Sequence, residues 1–441
     1  MGPRFSLPPR VQRWCIAGAH APASVFCDAP GKPDREGLVA FDMIMAGGRI
    51  ESIAPAGLTI DDALARLDRP GLLMPAFVDA HTHLDKGHTT PRAPNPTGSF
   101  VDARAVVPID REAHWTAADV RARMEFSLQA AYAYGTRAIR THLDCVGRQT
   151  RISWPVFAAV RDAWKGRIEL QASPLFGIEL ATDDAHMRDI TEMVYEFGHC
   201  LGAVTYPVPE LQPGLDRLFR LAADKGWDLD FHADETHDPA ANTLAVIAQT
   251  AIDHRFNGRV LCGHCCSLAV MPDDERKRTI ALVARAGLSI VSLPMCNMYL
   301  QDRQDPSRTP RWRGVTALKE LRAAGVPVMI ASDNTRDPFY AYGDLDMAEV
   351  WREGTRIAHL DHPFGDWGRL VAAEPAEALG LEEPGLLRAG GPADFVLFEG
   401  RTLSEFMARP LAGRTVVRNG RPIAAEPLPY SRLDSLAGLR P

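Results

Sequence analysis

Short runs of apolar, β-branched residues alternate with helical patterns through the middle of the chain. Strands that alternate with helices indicate parallel βα units, and eight such units indicate an α/β fold of the closed (β/α)₈ TIM-barrel type. A doubly wound open sheet is the alternative fold. The eight predicted strands cover residues 72–81, 135–144, 168–174, 201–207, 228–234, 259–265, 288–294 and 326–333.

The clearest helical pattern begins at Thr116, whose hydroxyl can cap the first turn. Asp119 follows three residues later, where an acidic side chain can reach back to the cap, and Gly135 ends the pattern. We therefore expect a helix between Thr116 and Gly135. Its apolar face consists of Val120, Met124, Leu128 and Ala131, which recur at helical spacing.

Both ends of the chain carry hairpin signals. Gly47-Gly48 lies between two alternating runs, and Asn419-Gly420 supplies the positive φ angles that a two-residue turn requires. Residues 393–398 form a further strand pattern. Because a lone hairpin is only marginally stable, we expect the two ends to pair into one small β-sandwich domain. The predicted domains are residues 1–70 (first part of the β domain), 71–385 (catalytic barrel) and 386–441 (second part of the β domain).

Composition narrows the possible partners and the location. Of the 441 residues, 46% are hydrophobic, which is enough for the core of a barrel. The net charge is −7 and no basic stripe is present, which argues against binding to nucleic acid or to an anionic membrane. No apolar run approaches the roughly 18 residues that span a bilayer. The eight cysteines lack paired spacing, which indicates reduced thiols in the cytoplasm.

Polar residues with metal-binding and acid–base chemistry gather at the predicted strand ends. Active sites of barrels form at the C-terminal ends of strands, so these side chains should meet at one rim. Two histidines at i and i+2 of a strand point to the same side and can reach one ion. Such groups are costly to bury without partners, which favours a metal site over packing. In chain order they are His81, His83, His232, Glu235, His264 and Asp333.

The pattern predicts a mononuclear site with an open position for water. A divalent ion would lower the pKa of that water from about 15.7 towards 7. Asp333 can take a proton from the water, and Glu235 can act as a general acid towards a ring nitrogen of the substrate. His264 would orient or polarise the attacking oxygen and help to move its proton. The expected ligands are His81, His83, His232 and Asp333.

Four segments resemble the motif regions of cytosine deaminase, of the amidohydrolase superfamily, in the same order. They read PAFVDAHTHLDK, FHADET, GHCCSLA and ASDNTRDPF. The stretch LPMCNMYLQDRQDPSRTPRWRGVTALKEL also resembles the region after strand seven of that family. The similarity covers the predicted barrel and continues into both ends.

The resemblance implies a (β/α)₈ barrel with one divalent ion per subunit, zinc or iron, with manganese as a further option. It implies hydrolytic loss of ammonia from a small aromatic heterocycle, and a homo-oligomer. By motif match, Glu235 becomes the proton shuttle to the ring and His264 the partner of the attacking oxygen. The same match makes His81, His83, His232 and Asp333 the metal ligands.

The sequence departs from the cytosine deaminase pattern at the substrate. The family's pyrimidine-binding glutamine has no counterpart in the stretch around Phe176, Asn334 stands where the family has a second aspartate, and Phe339 replaces a tryptophan. These three predicted substrate-binding residues favour a more apolar ring face. We therefore expect a substituted cytosine such as 5-methylcytosine, or another amino-heterocycle. Asn334 also resembles the s-triazine hydrolases of this group, so release of an alkylamine is an alternative.

Other interpretations of the same residues remain. Cys262 and Cys265 have a Cys-x-x-Cys spacing, but no second pair completes a zinc site, so buried thiols are favoured. A binuclear cyclic-amide hydrolase would need a bridging lysine at the end of strand four, where residues 204–207 read VTYP. A non-catalytic metal-binding barrel would not need the acid and base. Asp85 and Asp144 are equally consistent with partners of the metal histidines and with loop caps.

Overall fold

The structure is a computed structural model that describes residues 7, 10–57, 64–68, 70–303, 305–409 and 413–438. The chain forms two compact units. The terminal unit comprises Met1–Asp79, Gln129–Arg137 and Asp346–Pro427, and the central unit comprises Ala80–Leu128, Ala138–Leu345 and Leu428–Pro441. The domain boundaries predicted at residues 70 and 385 stay a prediction.

The strands, in chain order, are β1 Arg13–Pro22, β2 Leu38–Ala46, β3 Arg49–Pro55, β4 Ala65–Asp68, β5 Leu73–Pro75, β6 Phe77–Thr82, β7 Thr136–Asp144, β8 Glu169–Leu175, β9 Cys200–Thr205, β10 Asp228–Ala233, β11 Val260–His264, β12 Ser289–Ser292, β13 Val328–Ile330, β14 Phe395–Phe398, β15 Arg414–Arg418 and β16 Arg421–Pro422. The helices are α1 Phe100–His114, α2 Ala117–Tyr134, α3 Thr150–Trp164, α4 Asp184–Phe197, α5 Leu211–Lys225, α6 Thr243–Asp253, α7 Asp273–Ala286, α8 Pro294–Leu300, α9 Leu318–Ala323, α10 Met347–Ala358, α11 Ala373–Ala378, α12 Leu403–Ala408 and α13 Asp434–Ala437.

Parallel sheets bring the strand ends of the α/β region together. The strand orders are β6-β7-β8 and β13-β12-β11-β10-β9. Isolated parallel bridges join Thr82 to Asp333 and Gly177 to Val204. The mixed α/β architecture with parallel strands is therefore confirmed.

The first predicted strand is in fact two. Residues 72–81 divide at Ala76 into β5 and β6. The register of β5 is antiparallel to β14, with Pro75 opposite Phe395, so β5 belongs to a sheet of the terminal unit. The hydrophobic pattern is continuous across Ala76, because both strands are buried, and it does not reveal the change of sheet.

Helix α2 begins as predicted, but its acidic residue acts differently. The Asp119 backbone N–H donates to the Thr116 hydroxyl at 3.2 Å, which confirms the cap. The Asp119 carboxylate does not reach back to the cap; instead it pairs with Arg92 at 2.5 Å and with Arg123 at 2.7 Å. Two largely buried guanidinium groups compete for this carboxylate, and a charge-assisted pair is stronger than a cap contact.

The terminal unit contains two four-stranded sheets, β3-β2-β1-β4 and β16-β15-β14-β5. Both predicted hairpins are present: Gly47 and Gly48 have φ of 57° and 82°, and Asn419 and Gly420 have φ of 49° and 69°. The indole N–H of Trp14 donates to the Gly420 carbonyl at 2.9 Å, so segments from the two ends of the sequence contact each other.

All eight cysteines are free thiols, and Cys27 is the exposed one. Among the helices that the structure describes, none combines the length and the apolar character needed to cross a bilayer.

Candidate metal centre and active site

The strand ends of the central unit deliver the predicted polar residues to one place. His81 lies in β6, His232 in β10 and His264 at the end of β11, and Ala233 is in register with His264. Asp333 follows β13, and its backbone N–H donates to the His81 carbonyl at 2.8 Å. His264 and Asp333 have φ of 68° and 62°, a left-handed conformation that bends the chain where each side chain enters the site.

Three distances among the four predicted ligands are close to those between ligand atoms of one ion. Nε2 of His83 is 3.4 Å from Nε2 of His232 and 3.2 Å from Oδ1 of Asp333. Nε2 of His81 is 3.6 Å from the same oxygen. Around a tetrahedral ion with bonds of about 2.0–2.1 Å, neighbouring ligand atoms are about 3.4 Å apart. The predicted set is divided between two overlapping groups in the described chain: His81, His83 and His232 belong to one, and His81 and Asp333 to the other.

A fourth histidine joins this group. His142 and His81 have ring centroids 4.0 Å apart, and His142 shares with His81, His83 and His232 a set of ligand atoms within 4.8 Å of one another. Nε2 of His142 is 3.2 Å from Asp230, which also pairs with Arg140 at 3.2 Å. The sequence analysis gave His142 no role.

The protonation states of these histidines suit a metal. Burial, followed by neighbouring imidazole and cationic groups, lowers the pKa of His81, His83 and His232 well below the usual value, so all three are neutral. Neither ring nitrogen of His81 has a hydrogen-bond partner within the described chain. Since buried polar atoms are normally satisfied, this vacant imidazole fits a divalent ion.

Glu235 and His264 lie beside the histidines and share a partner that the sequence analysis did not single out. The Asn297 side-chain amide is 3.0 Å from Oε1 of Glu235 and 3.0 Å from Nδ1 of His264. Burial and then the Asp333 carboxylate raise the pKa of Glu235 well above its usual value. Burial lowers the pKa of His264 to about 3. The site thus holds a carboxyl whose protonated form is favoured by its surroundings and an imidazole whose neutral form is favoured.

A cavity of about 420 Å³ opens over these groups, and all three predicted substrate-binding residues line it. Phe339 packs edge-on against Phe100 at 5.7 Å, and Phe176 against His186 at 4.7 Å. The Asn334 amide donates to Asp337 at 2.7 Å, so one of its donors is already engaged. The cavity therefore offers aromatic walls beside an acid–base centre.

Asp85 and Asp144 contact each other and nearby polar side chains rather than the histidines of the metal centre. Oδ2 of Asp85 accepts from the Ser153 hydroxyl and from the Asp144 backbone, both at 2.9 Å. Asp144 pairs with Lys86 at 3.0 Å and with Arg111 at 2.9 Å. These contacts form a charged wall of the cavity. The sequence analysis noted Lys86 only within a motif and did not find Arg111.

The metal-binding groups of the described chain contain no cysteine. Cys262 and Cys265 are buried, and burial raises the pKa of both thiols well above the usual value. Strand β9 ends in Thr205, whose hydroxyl donates to the His232 carbonyl at 3.1 Å, so no lysine stands where a second metal would need one.

Comparison with known proteins places the chain among relatives of similar length. The sequence model of the amidohydrolase family matches residues 158–424. A pterin deaminase from Rhizobium rhizogenes (strain K84) is 52% identical over 435 residues, which cover 98% of this chain and 99% of the relative. An N-isopropylammelide isopropyl amidohydrolase from Pseudomonas sp. (strain ADP) is 25% identical over 88% of this chain and 94% of its own.

Solved structures agree on the fold. The crystal structure of a 5-methylcytosine deaminase from Klebsiella pneumoniae superposes with a TM-score of 0.80 at 23% sequence identity, covering 94% of this chain and 98% of its own. The family resemblance read from the motifs is therefore confirmed. The chain belongs to the amidohydrolase family of enzymes, which hydrolyse carbon–nitrogen bonds.

Proposed function

We propose that the protein removes the exocyclic amine of a pterin-type heterocycle by hydrolysis and releases ammonia. The observation that carries this proposal is the 52% identity over nearly the whole chain to a pterin deaminase. The proposed acid Glu235, the imidazole of His264 and two of the proposed ligands, His83 and His232, line one cavity.

We propose further that the two parallel sheets of the central unit close into one (β/α)₈ barrel. The bridge from Thr82 to Asp333 and the bridge from Gly177 to Val204 lie between the edge strands of the two sheets, which supports closure at both seams. The two sheets of the terminal unit would form the β-sandwich.

His81, His83, His232 and Asp333 are the proposed ligands of one zinc or iron ion per subunit. When bound, the ion supplies Lewis acidity and lowers the pKa of a water molecule. His142 is the fifth candidate ligand, and its Nε2 lies 3.2 Å from Asp230.

The chain's own residues supply the proton transfers. Asp333 accepts a proton from the attacking water, and Glu235, whose raised pKa favours the protonated form, donates to the ring nitrogen next to the attacked carbon. The C–N bond then breaks: the proton held by Asp333 passes to the amine, which leaves as ammonia, and Glu235 takes up the proton of the added hydroxyl group as the carbonyl forms. Phe176 and Phe339 hold the flat ring from the sides, where aromatic faces suit a heterocycle.

The cavity volume admits a fused two-ring substrate, because pockets of about 300–1,000 Å³ hold small ligands. A 5-substituted cytosine is the second candidate, favoured by the apolar walls that Phe176 and Phe339 provide. Release of an alkylamine from a triazine is the third, favoured by the N-isopropylammelide relative.

Steady-state ammonia release by the zinc- or iron-loaded protein distinguishes these candidates. We expect kcat/KM on pterin to exceed that on cytosine and 5-methylcytosine by at least about 100-fold, since a site that hydrogen-bonds one ring penalises an analogue that leaves its polar groups unpaired. Removal of the ion by a chelator should abolish turnover, and metal analysis should return one ion per subunit. Turnover of 5-methylcytosine or an N-alkylamino-triazine without turnover of pterin would overturn the pterin assignment.

A further inference from the structure

Asn297 contacts both Glu235 and His264, the proposed acid–base pair. It lies in the short helix α8, its side chain has no exposed surface, and its backbone N–H donates to the Leu293 carbonyl at 2.9 Å. Its Nδ2 lies 3.0 Å from both Glu235 Oε1 and His264 Nδ1, and these two acceptors are 3.4 Å apart.

The chemistry of these three groups dictates where their hydrogens lie. An amide NH₂ has two donors and no acceptor, so each neighbour must present a lone pair. A neutral imidazole has one protonated nitrogen; if Nδ1 accepts, the hydrogen is on Nε2. A protonated carboxyl that accepts through Oε1 carries its hydrogen on Oε2. The reverse orientation would set the amide oxygen against Oε1 and Nδ1 and would remove both donors.

We propose that Asn297 is a positioning residue: its two donors occupy Oε1 of Glu235 and Nδ1 of His264, which leaves Oε2 of Glu235 to carry the transferred proton and Nε2 as the protonated nitrogen of His264. The proposal rests on the roles of Glu235 and His264 in the proposed function.

The remaining contacts agree with this assignment. Nε2 of His264 is buried and has no hydrogen-bond partner in the part of the chain that the structure describes. His264, His81 and Asp333 bring ligand atoms within 4.8 Å of one another, so this N–H is available to an oxygen at the reaction centre. The Asn297 Oδ1 atom is also buried without a hydrogen-bond partner among the described residues, so the amide contacts its described neighbours through its NH₂ group.

Two substitutions separate a positioning role from a packing role. Asn297→Asp keeps the shape but replaces both donors with acceptors, so His264 should move its proton to Nδ1 and Glu235 should lose its donor. Asn297→Ala removes the donors without reversing the hydrogen bond. We expect kcat to fall by about 100-fold or more in Asn297→Asp and by less in Asn297→Ala, with KM little changed in both.

If Asn297 were needed only for packing, kcat would be higher in Asn297→Asp than in Asn297→Ala, because aspartate has the same shape as asparagine. Higher kcat in Asn297→Asp than in Asn297→Ala would therefore overturn the proposal. Asn242→Asp is the matched control: Asn242 caps α6 through its side-chain oxygen, which aspartate retains, and its amide donates to Thr279 at 3.0 Å. Asn242 does not line the cavity, so kcat at a temperature where the protein is folded should be unchanged.

NMR of protein labelled with ¹⁵N-histidine tests the tautomer without substrate. His264 should appear as the Nε2–H form in the zinc-loaded protein and as the Nδ1–H form in Asn297→Asp, with the signal assigned by its loss in His264→Gln. An Nδ1–H signal in the unsubstituted protein, or an unchanged signal in Asn297→Asp, would overturn the proposal. The predicted tautomers without activity on pterin would reject only the proposed substrate.

Discussion

Two buried polar clusters of the central unit differ in how completely they are satisfied. In the arginine cluster (Arg92, Asp110, Asp119, Arg123), Arg92 pairs with Asp110 at 2.8 Å and with Asp119 at 2.5 Å, and Arg123 pairs with Asp119 at 2.7 Å. The Trp115 indole also donates to Asp110 at 2.7 Å. Every charge has an opposite partner, so this cluster needs nothing from outside the chain.

In the histidine cluster (His81, His83, His142, His232, Asp333), by contrast, some imidazole nitrogens lack hydrogen-bond partners among the described residues. His81 offers two ring nitrogens without a hydrogen-bond partner in the described residues. Burial is similar in both clusters, so burial alone does not distinguish a structural network from a functional one. The difference lies in partners: a satisfied network stabilises the fold, whereas vacant neutral imidazoles indicate an external ligand.

The largest expected effect is a loss of activity without a loss of stability, on substitution of Glu235, which lies beside the histidine cluster. Glu235→Gln keeps the size and removes the transferable proton, so kcat should fall by about 10²- to 10⁴-fold. Metal content and melting temperature should stay near those of the unsubstituted protein. Steady-state kinetics, elemental analysis and thermal unfolding check these outcomes, and near-normal turnover would show that another group is the acid.

The arginine cluster should respond in the opposite sense. Asp119→Asn leaves Arg92 and Arg123 without their shared carboxylate, and breaking a buried pair in this way costs about 3–5 kcal/mol. We expect a large drop in the free energy of unfolding, measured with urea, while kcat at a temperature where the protein is folded changes little. A loss of kcat without a loss of stability would erase the distinction between the clusters.

His88 provides the smallest effect, because it is a buried histidine outside both clusters. Burial lowers its pKa to about 3. A folded pKa below the unfolded value of about 6.5 stabilises the protein above pH 6.5, and this stability is lost as the pH falls towards 3. Between pH 7.5 and 5 the loss is about 2 kcal/mol.

His88→Asn should remove that pH dependence, since asparagine does not titrate and tolerates the left-handed φ of 65° at this position. Urea unfolding of both proteins at pH 7.5 and 5 isolates the contribution, because other titrating groups are common to the pair. Equal pH dependence in the two proteins would mean that His88 is already solvated.

Local patterns predicted the strands and the site residues that lie on them. Each parallel strand ends near its predicted position, and the side chains at those ends, such as His232 and His264, meet because parallel strands share one edge. Both hairpin turns followed from residues that accept positive φ, as at Asn419.

What the sequence did not show depends on distant contacts. Asn297 acts through Glu235, which is 62 positions away, and its short helix carries no periodic signal. The Asp119 carboxylate pairs with Arg92, which is 27 positions away in the sequence, instead of with the nearby helix cap. A buried polar side chain finds its partner in the folded chain, and spacing along the sequence does not encode that choice.

The left-handed turns at His264 and Asp333 carry a consequence for engineering. Non-glycine residues in such conformations cost on the order of 1–3 kcal/mol each, and glycine would relieve most of that strain. Selection for heat resistance alone would therefore reward replacing the very side chains that perform the chemistry. A more robust form of this enzyme has to be sought at positions remote from those two bends.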